Sequence, residues 1–349
     1  MAGRTAIGLD IGTSGVRAAE VSLRKGVITL ERFGQLALPQ GAVCDGEVID
    51  PAAVATTVKA LWAHTKFSSK RVILGVANQK VIVREVDLPA LPIVQLRQSL
   101  RFQAQDLIPL SVSEALLDFH PLDEFESAQG DRMVRGLLVA ASRDMITDLV
   151  GAVQKAGLKP VMVDLTGFAL VRSLAQTDAL GLGARNEACI DVGAVVTNIV
   201  VHQGGVPRFV RMLRMGGQDI TNAVVERLGV SQSEAEAIKA LSTDPADARS
   251  AREALAAAAA TFVEEIRQSL NFYLSSGDAT ALDRLVLTGG GARLAGLAEL
   301  VATVTGIPVQ RGAPMSSLRM GNTGLSPEQL DFVDPQSAVP VGLAMGAIA

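Results

Sequence analysis

Cysteine is scarce: Cys44 and Cys189 are the only two in 349 residues, and they lie far apart. That excludes a disulfide framework and a Cys-rich zinc site, and it fits a reducing compartment. Three histidines, His64, His120 and His202, are scattered without metal-ligand spacing. A basic excess is missing too, since 32 Lys and Arg face 36 Asp and Glu for a net charge of −4. A general nucleic-acid coat, which must neutralise phosphates, is therefore excluded. No run reaches the ~18 uncharged apolar residues of a spanning helix. The opening MAGRTAIGLDIG carries Asp10 inside its apolar run and lacks a signal-peptide core. Neither a G-x-x-x-x-G-K-[ST] phosphate loop nor a G-x-G-x-x-G fingerprint is present. Trp62 and Tyr273, each the single residue of its kind, fall in helical patterns and read as packing residues. The expected location is the cytoplasm.

What is present is apolar substance, 48% of the residues, with low net charge. Disorder is excluded. The length suggests two domains of about 150 residues each. Thr5–Ile11, Gly15–Ser22 and Val27–Leu38 read as strands, the first two joined by the turn Gly12–Gly15. Pro51 opens a helix through His64. Arg71–Val76 and Val81–Val86 read as strands. A mixed module from Pro89 to Lys159 holds helix Val94–Leu107, strand Ala115–Pro121, polar loop Asp123–Asp131, strand Met133–Ala140 and helix Asp144–Ala156. Strand Pro160–Asp164, helix Gly167–Ala175 and a boundary signal at Gly181-Leu-Gly183 close the first half. Strands Ala188–Asp191, Thr197–His202 and Arg208–Leu213 follow, then helices Asp219–Leu228, Ser233–Leu241 and Asp247–Ser275. Strand Leu285–Leu287 leads through Gly289-Gly-Gly291 to a helix that begins by about Leu294. The carboxyl end is looser until Pro340–Ile348.

A repeat organises this pattern. Ile7-Gly-Leu-Asp-Ile-Gly12 and Cys189-Ile-Asp-Val-Gly193 share an apolar–Asp–apolar–Gly core about half the chain apart, and each precedes a second strand. An Asp inside an apolar strand is costly to bury without compensation. Asp10 is then either a turn cap or a carboxylate holding hydrated Mg²⁺, an ion that binds few protein carboxylates directly. Asp191 repeats it. Gly12, Thr13 and Ser14 offer backbone N–H groups and hydroxyls to phosphate oxygens, and Arg17 adds a charge-assisted contact or is a solvated strand residue. The second turn is more apolar: Gly193 permits close approach, and only Thr197 keeps a hydroxyl. Gly289, Gly290 and Gly291 let a flat ring or ribose lie against bare backbone. Gly216 and Gly217 join the cofactor-binding set.

These three glycine turns resemble the phosphate and adenosine motifs of the superfamily of actin, hexokinase and DnaK-type chaperones. Ala235-Glu-Ala-Ile-Lys239 is similar to the A-E-x-I-K segment of bacterial actin homologues. The resemblance implies that Glu236 and Lys239 reach the nucleoside, although the two could equally be a solvated i, i+3 pair. It also implies an α/β, actin-like ATPase fold of two ribonuclease-H-like halves, with ATP and Mg²⁺ in the cleft between them. Pro89-Ala-Leu-Pro92, Phe102-Gln-Ala-Gln-Asp-Leu-Ile-Pro109 and Asp118-Phe119 narrow the match. So do Val139–Asp144, Lys155–Leu158 and Glu265–Tyr273. Together they resemble the PilM family of actin-like proteins in type IV pilus assembly.

That resemblance implies a first half over 1–183 with an FtsA-type inserted subdomain at about 89–159. The second half would run over 184–349, with a helical subdomain at about 214–276. It implies membrane recruitment through the amino-terminal cytoplasmic peptide of PilN, with other pilus components as further partners. The peptide is expected in a groove lined by Leu88–Leu96 and helix Arg97–Leu107, unless the apolar face of that helix is core. The apolar second turn points to slow or absent ATP hydrolysis. Two alternatives remain. FtsA, a division protein, shares the motifs but ends in a basic amphipathic helix, whereas this chain's last ten residues hold no Lys or Arg. A sugar kinase would need a carboxylate base in the cleft, for which Asp164 is the candidate catalytic residue, with helix capping as its other reading.

Overall fold

The computed structural model describes residues 4–175, 186–240, 248–276 and 279–348. The expected boundary at Gly181–Gly183 lies outside the described residues, as do Leu241 and Asp247, the expected ends of two helices. The chain opens with β1 (Arg4–Ile11), β2 (Gly15–Arg24) and β3 (Val27–Ala37), followed by a small hairpin of β4 (Val43–Cys44) and β5 (Glu47–Val48). Helix α1 (Pro51–Thr65) starts where Asp50 accepts the N–H groups of Ala52 and Ala53 and Pro51 sets the first turn. It stops at Lys66 in a left-handed conformation and buries Val54, Ala55, Val58 and Leu61 at helical spacing. Then come β6 (Arg71–Val76), β7 (Val81–Pro89), α2 (Ile93–Gln103), β8 (Ala115–Glu126), β9 (Arg132–Ser142), α3 (Arg143–Lys155), β10 (Lys159–Leu165) and α4 (Thr166–Leu174).

A second series repeats the scheme: β11 (Asn186–Val192), β12 (Thr197–Gln203), β13 (Val206–Leu213), α5 (Gly217–Leu228), α6 (Gln232–Ala240) and α7 (Ala248–Leu274). After these come β14 (Arg284–Thr288), α8 (Leu297–Thr305), β15 (Val309–Arg311), β16 (Arg319–Met320), α9 (Pro327–Val333) and α10 (Ala338–Ile348). The first sheet has the order β10-β6-β1-β2-β3-β16 and the second β13-β12-β11-β14-β15. In each, a hairpin lies beside a parallel strand: β1 pairs antiparallel with β2 and parallel with β6, and β11 does the same with β12 and β14.

The structure departs from these expectations in several places. Strand β8 runs on to Glu126, so the polar loop shrinks to a turn from Ser127 to Asp131. Its acidic residues belong to an edge strand, where charge discourages pairing with other chains. The inserted sheet, β7-β9-β8, pairs from Val81, ahead of Pro89. Helix α3, expected inside the module, packs Leu149, Ala152 and Val153 with Val54, Val58 and Leu61 of α1 in the core under the first sheet. Late elements of the chain pack against the first sheet. Strand β16 joins the first sheet beside β3, and α10 lies on β1 and α4. Helix α10 is apolar all round and almost wholly buried, so it needs partners on every side. Glycines make the fit: a Cβ on Gly342 would stand 1.8 Å from the Ala169 carbonyl oxygen, and one on Gly8 2.1 Å from that of Pro340. The helix after Gly289–Gly291 starts at Leu297, because a 3-10 turn over Gly291–Arg293 and left-handed Gly296 come first.

Candidate functional site

Both Asp-Gly turns sit at the carboxyl ends of the leading strands of the two sheets and line one cavity of about 580 Å³. Each is closed by the same bond, Gly12 N–H to the Gly15 carbonyl (3.0 Å) and Gly193 N–H to the Val196 carbonyl (3.1 Å). Across the hairpins Asp10 lies opposite Arg17, and Asp191 opposite Asn198. An Arg17 Nη stands 3.6 Å from Asp10 Oδ2, and its Nε donates to Gln336 Oε1 at 3.4 Å. Asn198 donates to Asp191 Oδ2 at 3.3 Å. Loss of bulk water raises both carboxyls above their ordinary value. For Asp191 the charge of Asp10 adds to this, pushing it up to about 6.

The cavity brings together Asp10, Gly12, Thr13, Ser14, Arg17, Asp191, Gly193, Gly217, Glu236, Lys239, Gly289, Gly290 and Gly291. Gly289 is left-handed (φ 87°), and a Cβ on it would meet Asp191 Oδ1 at 2.5 Å. One on Gly291 would strike Val192, whereas Gly290 has open space before it. Lys239 Nζ donates to the Gly217 carbonyl (2.7 Å), Thr221 Oγ1 (2.6 Å) and Glu236 Oε1 (2.9 Å). Glu236 also accepts from the Thr221 hydroxyl. Lys239 is thereby held against α5, while the Glu236 side chain stays about half exposed on the cavity wall.

Three candidates stand elsewhere. Asp164 is outside the cavity lining: one oxygen accepts the Leu165 N–H at 2.8 Å and the other pairs with Arg172. Thr197 is fully buried, and its hydroxyl donates to the Met215 carbonyl at 2.7 Å. Gly216 stands behind the wall, where a Cβ would lie 2.5 Å from the Gly193 carbonyl oxygen. None of the three lines the cavity. Residues missed from sequence include Thr166, Asn198, Gln336, Arg293 and Phe332, all on the cavity. Asn198 had a signal, the position opposite Asp191 that Arg17 holds opposite Asp10. The Arg293 guanidinium stacks 3.6 Å above the Phe332 ring.

The two carboxylates fit a hydrated divalent cation, since their mutual repulsion is what a positive ion between them would relieve. Among the described residues no group of three or more His, Cys, Asp or Glu could hold a metal by protein ligands alone. Mg²⁺, which keeps several waters, suits a two-carboxylate site.

Duplicated sheets with paired Asp-Gly turns around a common cleft define an actin-like ATPase fold. MreB 5 of Spiroplasma citri bound to AMPPNP shares that fold, at TM-score 0.57 and 11% identity over 98% of this chain and 95% of that one. The chain belongs to the family described as type IV pilus assembly protein PilM, matched over residues 8–348. It superposes on a structure titled PilM-PilN type IV pilus biogenesis complex at TM-score 0.84, with 28% identity over 99% of this chain and 98% of that one. The cell division protein FtsA of Streptococcus pneumoniae serotype 2 (strain D39 / NCTC 7466) is 24% identical over 88% of this chain and 75% of its own length.

Proposed function

We propose that this chain binds ATP with Mg²⁺ in the cleft, hydrolyses it slowly or not at all, and serves type IV pilus assembly by binding the amino-terminal cytoplasmic peptide of PilN. The observation that carries the reading is the likeness, over nearly the whole chain, to a protein solved in complex with PilN. Asp10 and Asp191 would hold the hydrated ion, which neutralises phosphate charge when bound. The N–H groups and hydroxyls of Thr13 and Ser14 meet phosphate oxygens, and Arg17 adds a charge. Glu236, oriented by Lys239 and Thr221, faces the nucleoside side, and Gly290 leaves room for it. Slow turnover is supported by the acidic inventory of the cavity, which is Asp10, Asp191 and Glu236. The first two are committed to the ion and the third is tied to Lys239 and Thr221. With Asp164 paired to Arg172 outside the cavity, the sugar-kinase reading loses its base.

The peptide groove is the junction of the inserted module with the first half. The buried face of α2 is spent on the module's own core, where Leu96 and Leu100 meet Phe119 and Val134. Leu91, Ile93, Val94 and Phe102 are the exposed apolar residues of this stretch, Phe102 at 82%. No helix among the described residues is long and apolar enough to cross a membrane. Capture of a peptide from an inner-membrane protein would hold the chain at that surface. A fluorescence-anisotropy titration with the PilN amino-terminal peptide tests this. Binding by the wild type, weakened at least tenfold in I93D/V94D with the thermal transition unchanged, is the expected result. No binding by the wild type would remove the PilN assignment.

A further inference from the structure

Asp45 and Arg214 come from opposite walls of the cleft, and their side chains meet, with Oδ2 2.7 Å from Nη2. We propose that this ion pair straps the mouth of the cleft, so that breaking it speeds the escape of bound nucleotide. The strap rests on the nucleotide reading above and extends it to the rate of exchange.

Each end is built into its wall. Asp45 occupies the tip of the β4–β5 hairpin at φ 51°, the first central residue of the two-residue Asp-Gly turn that hairpins favour. Gly46 follows at φ 80°, and a Cβ on it would lie 2.3 Å from the Ala77 carbonyl oxygen. The Asp45 carbonyl accepts from the buried Asn78 amide at 2.5 Å, and Asn78 Oδ1 accepts the Lys80 N–H at 2.6 Å. Lys80 in turn pairs with Glu47 at 2.7 Å. The hairpin tip therefore moves with the β6–β7 turn, and Gly46 and Ala77 both line the cavity.

Arg214 is fixed in the same manner on the other side. The next carbonyl, that of Met215, accepts from Thr197, and the Gly217 N–H donates to the Gly193 carbonyl at 2.9 Å. Gln218 N–H donates to the Ala194 carbonyl at 2.7 Å. Arg214 thus moves with the second Asp-Gly turn, and Gly217 and Gln218 line the cavity. Any opening of the cleft that separates these walls must draw Asp45 from Arg214. Both side chains are partly in solvent, at 39% and 62%, so the bond is a weak one that salt screens. A closure that has to open repeatedly is served by such a bond.

The experiment is stopped-flow release of a fluorescent ATP analogue from the full chain, chased with excess ATP at low ionic strength. D45N and R214Q should each release it about two- to fivefold faster than the wild type, the scale of one exposed ion pair. The charge-swapped D45R/R214D should recover most of the slow release. Raising the salt should speed the wild type towards the variants and change the variants little. Wild-type release rates in D45N and R214Q would overturn the strap. Hydrogen exchange of residues 42–48 and 214–218 in the ligand-free chain supplies a readout that needs no nucleotide. Faster exchange in D45N upholds the strap even if the analogue fails to bind, in which case the nucleotide reading alone falls; unchanged exchange overturns the strap.

Discussion

Asp10 and Asp191 occupy the same place in two copies of one hairpin, and the residue opposite them is a guanidinium for the first and an amide for the second. The cation is on one side only. Burial and the repulsion of Asp10 outweigh the hydrogen bond from Asn198 and the charge of Arg17, and the Asp191 carboxyl rises to about 6.

A carboxyl raised in the folded state binds its proton there more tightly than in the unfolded chain. The resulting stabilisation is fully present below the ordinary carboxylate value and is lost as pH rises through about 6. Ligand-free protein should accordingly lose stability between pH 4.5 and 7, on the order of 1–3 kcal/mol from this group. Asp191→Asn should flatten that dependence and raise the melting temperature at pH 7.5. Thermal unfolding across a pH series, with and without Mg²⁺, measures it, and the ion should offset the loss in the wild type alone.

Removing the first carboxylate acts on the ligand. Asp10→Ala should weaken Mg²⁺-dependent ATP binding by about 1–3 kcal/mol, the scale of a lost charge-assisted contact. Calorimetry reads this directly. ATP should also raise the melting temperature of the wild type, because a ligand that binds only the folded state stabilises it by mass action.

Asp164→Ala should leave nucleotide affinity where it was. Its cost falls on stability, about 1–3 kcal/mol, because the Arg172 guanidinium loses its carboxylate beside the Gly342 carbonyl. Chemical denaturation paired with a binding titration separates the two effects. A changed affinity at unchanged stability would return Asp164 to the site.

Gly342→Ala tests the returning helix. The added Cβ has the Ala169 carbonyl oxygen 1.8 Å away, and its other near atoms are also Ala169 backbone, so no flexible side chain can yield. A loss of about 3 kcal/mol or more is expected in urea unfolding, at the upper end of overpacking effects.

Both Asp-Gly hairpins were legible because the signal is short: a carboxylate in an apolar strand, a glycine two residues on, and a second strand. Thr197 and Asp164, a candidate ligand and a candidate base in sequence, share one physical feature. Each looked available in sequence, and each has its polar atoms taken by a partner beyond the reach of local pattern, Met215 eighteen positions on and Arg172 eight. Gln336 and Phe332 escaped notice because the stretch before α10 holds only short elements, a two-residue strand and a seven-residue helix, too brief to show a period. In sequence the apolar face of α2 reads as groove lining or as core, because amphipathic spacing does not say which surface a helix covers. Here it covers β8 and β9 of its own module.

The return of the chain to the first sheet also orders its biosynthesis. Strands β1 and β2 leave the ribosome early, yet the apolar surface around Gly8 is covered only when Pro340, Leu343 and Ala344 arrive. Until then the amino-terminal half carries an open hydrophobic seam, the kind of surface on which nascent chains aggregate or recruit chaperones. A fragment ending after α4 would inherit that seam permanently, so the first half is a folding unit only in the company of α10.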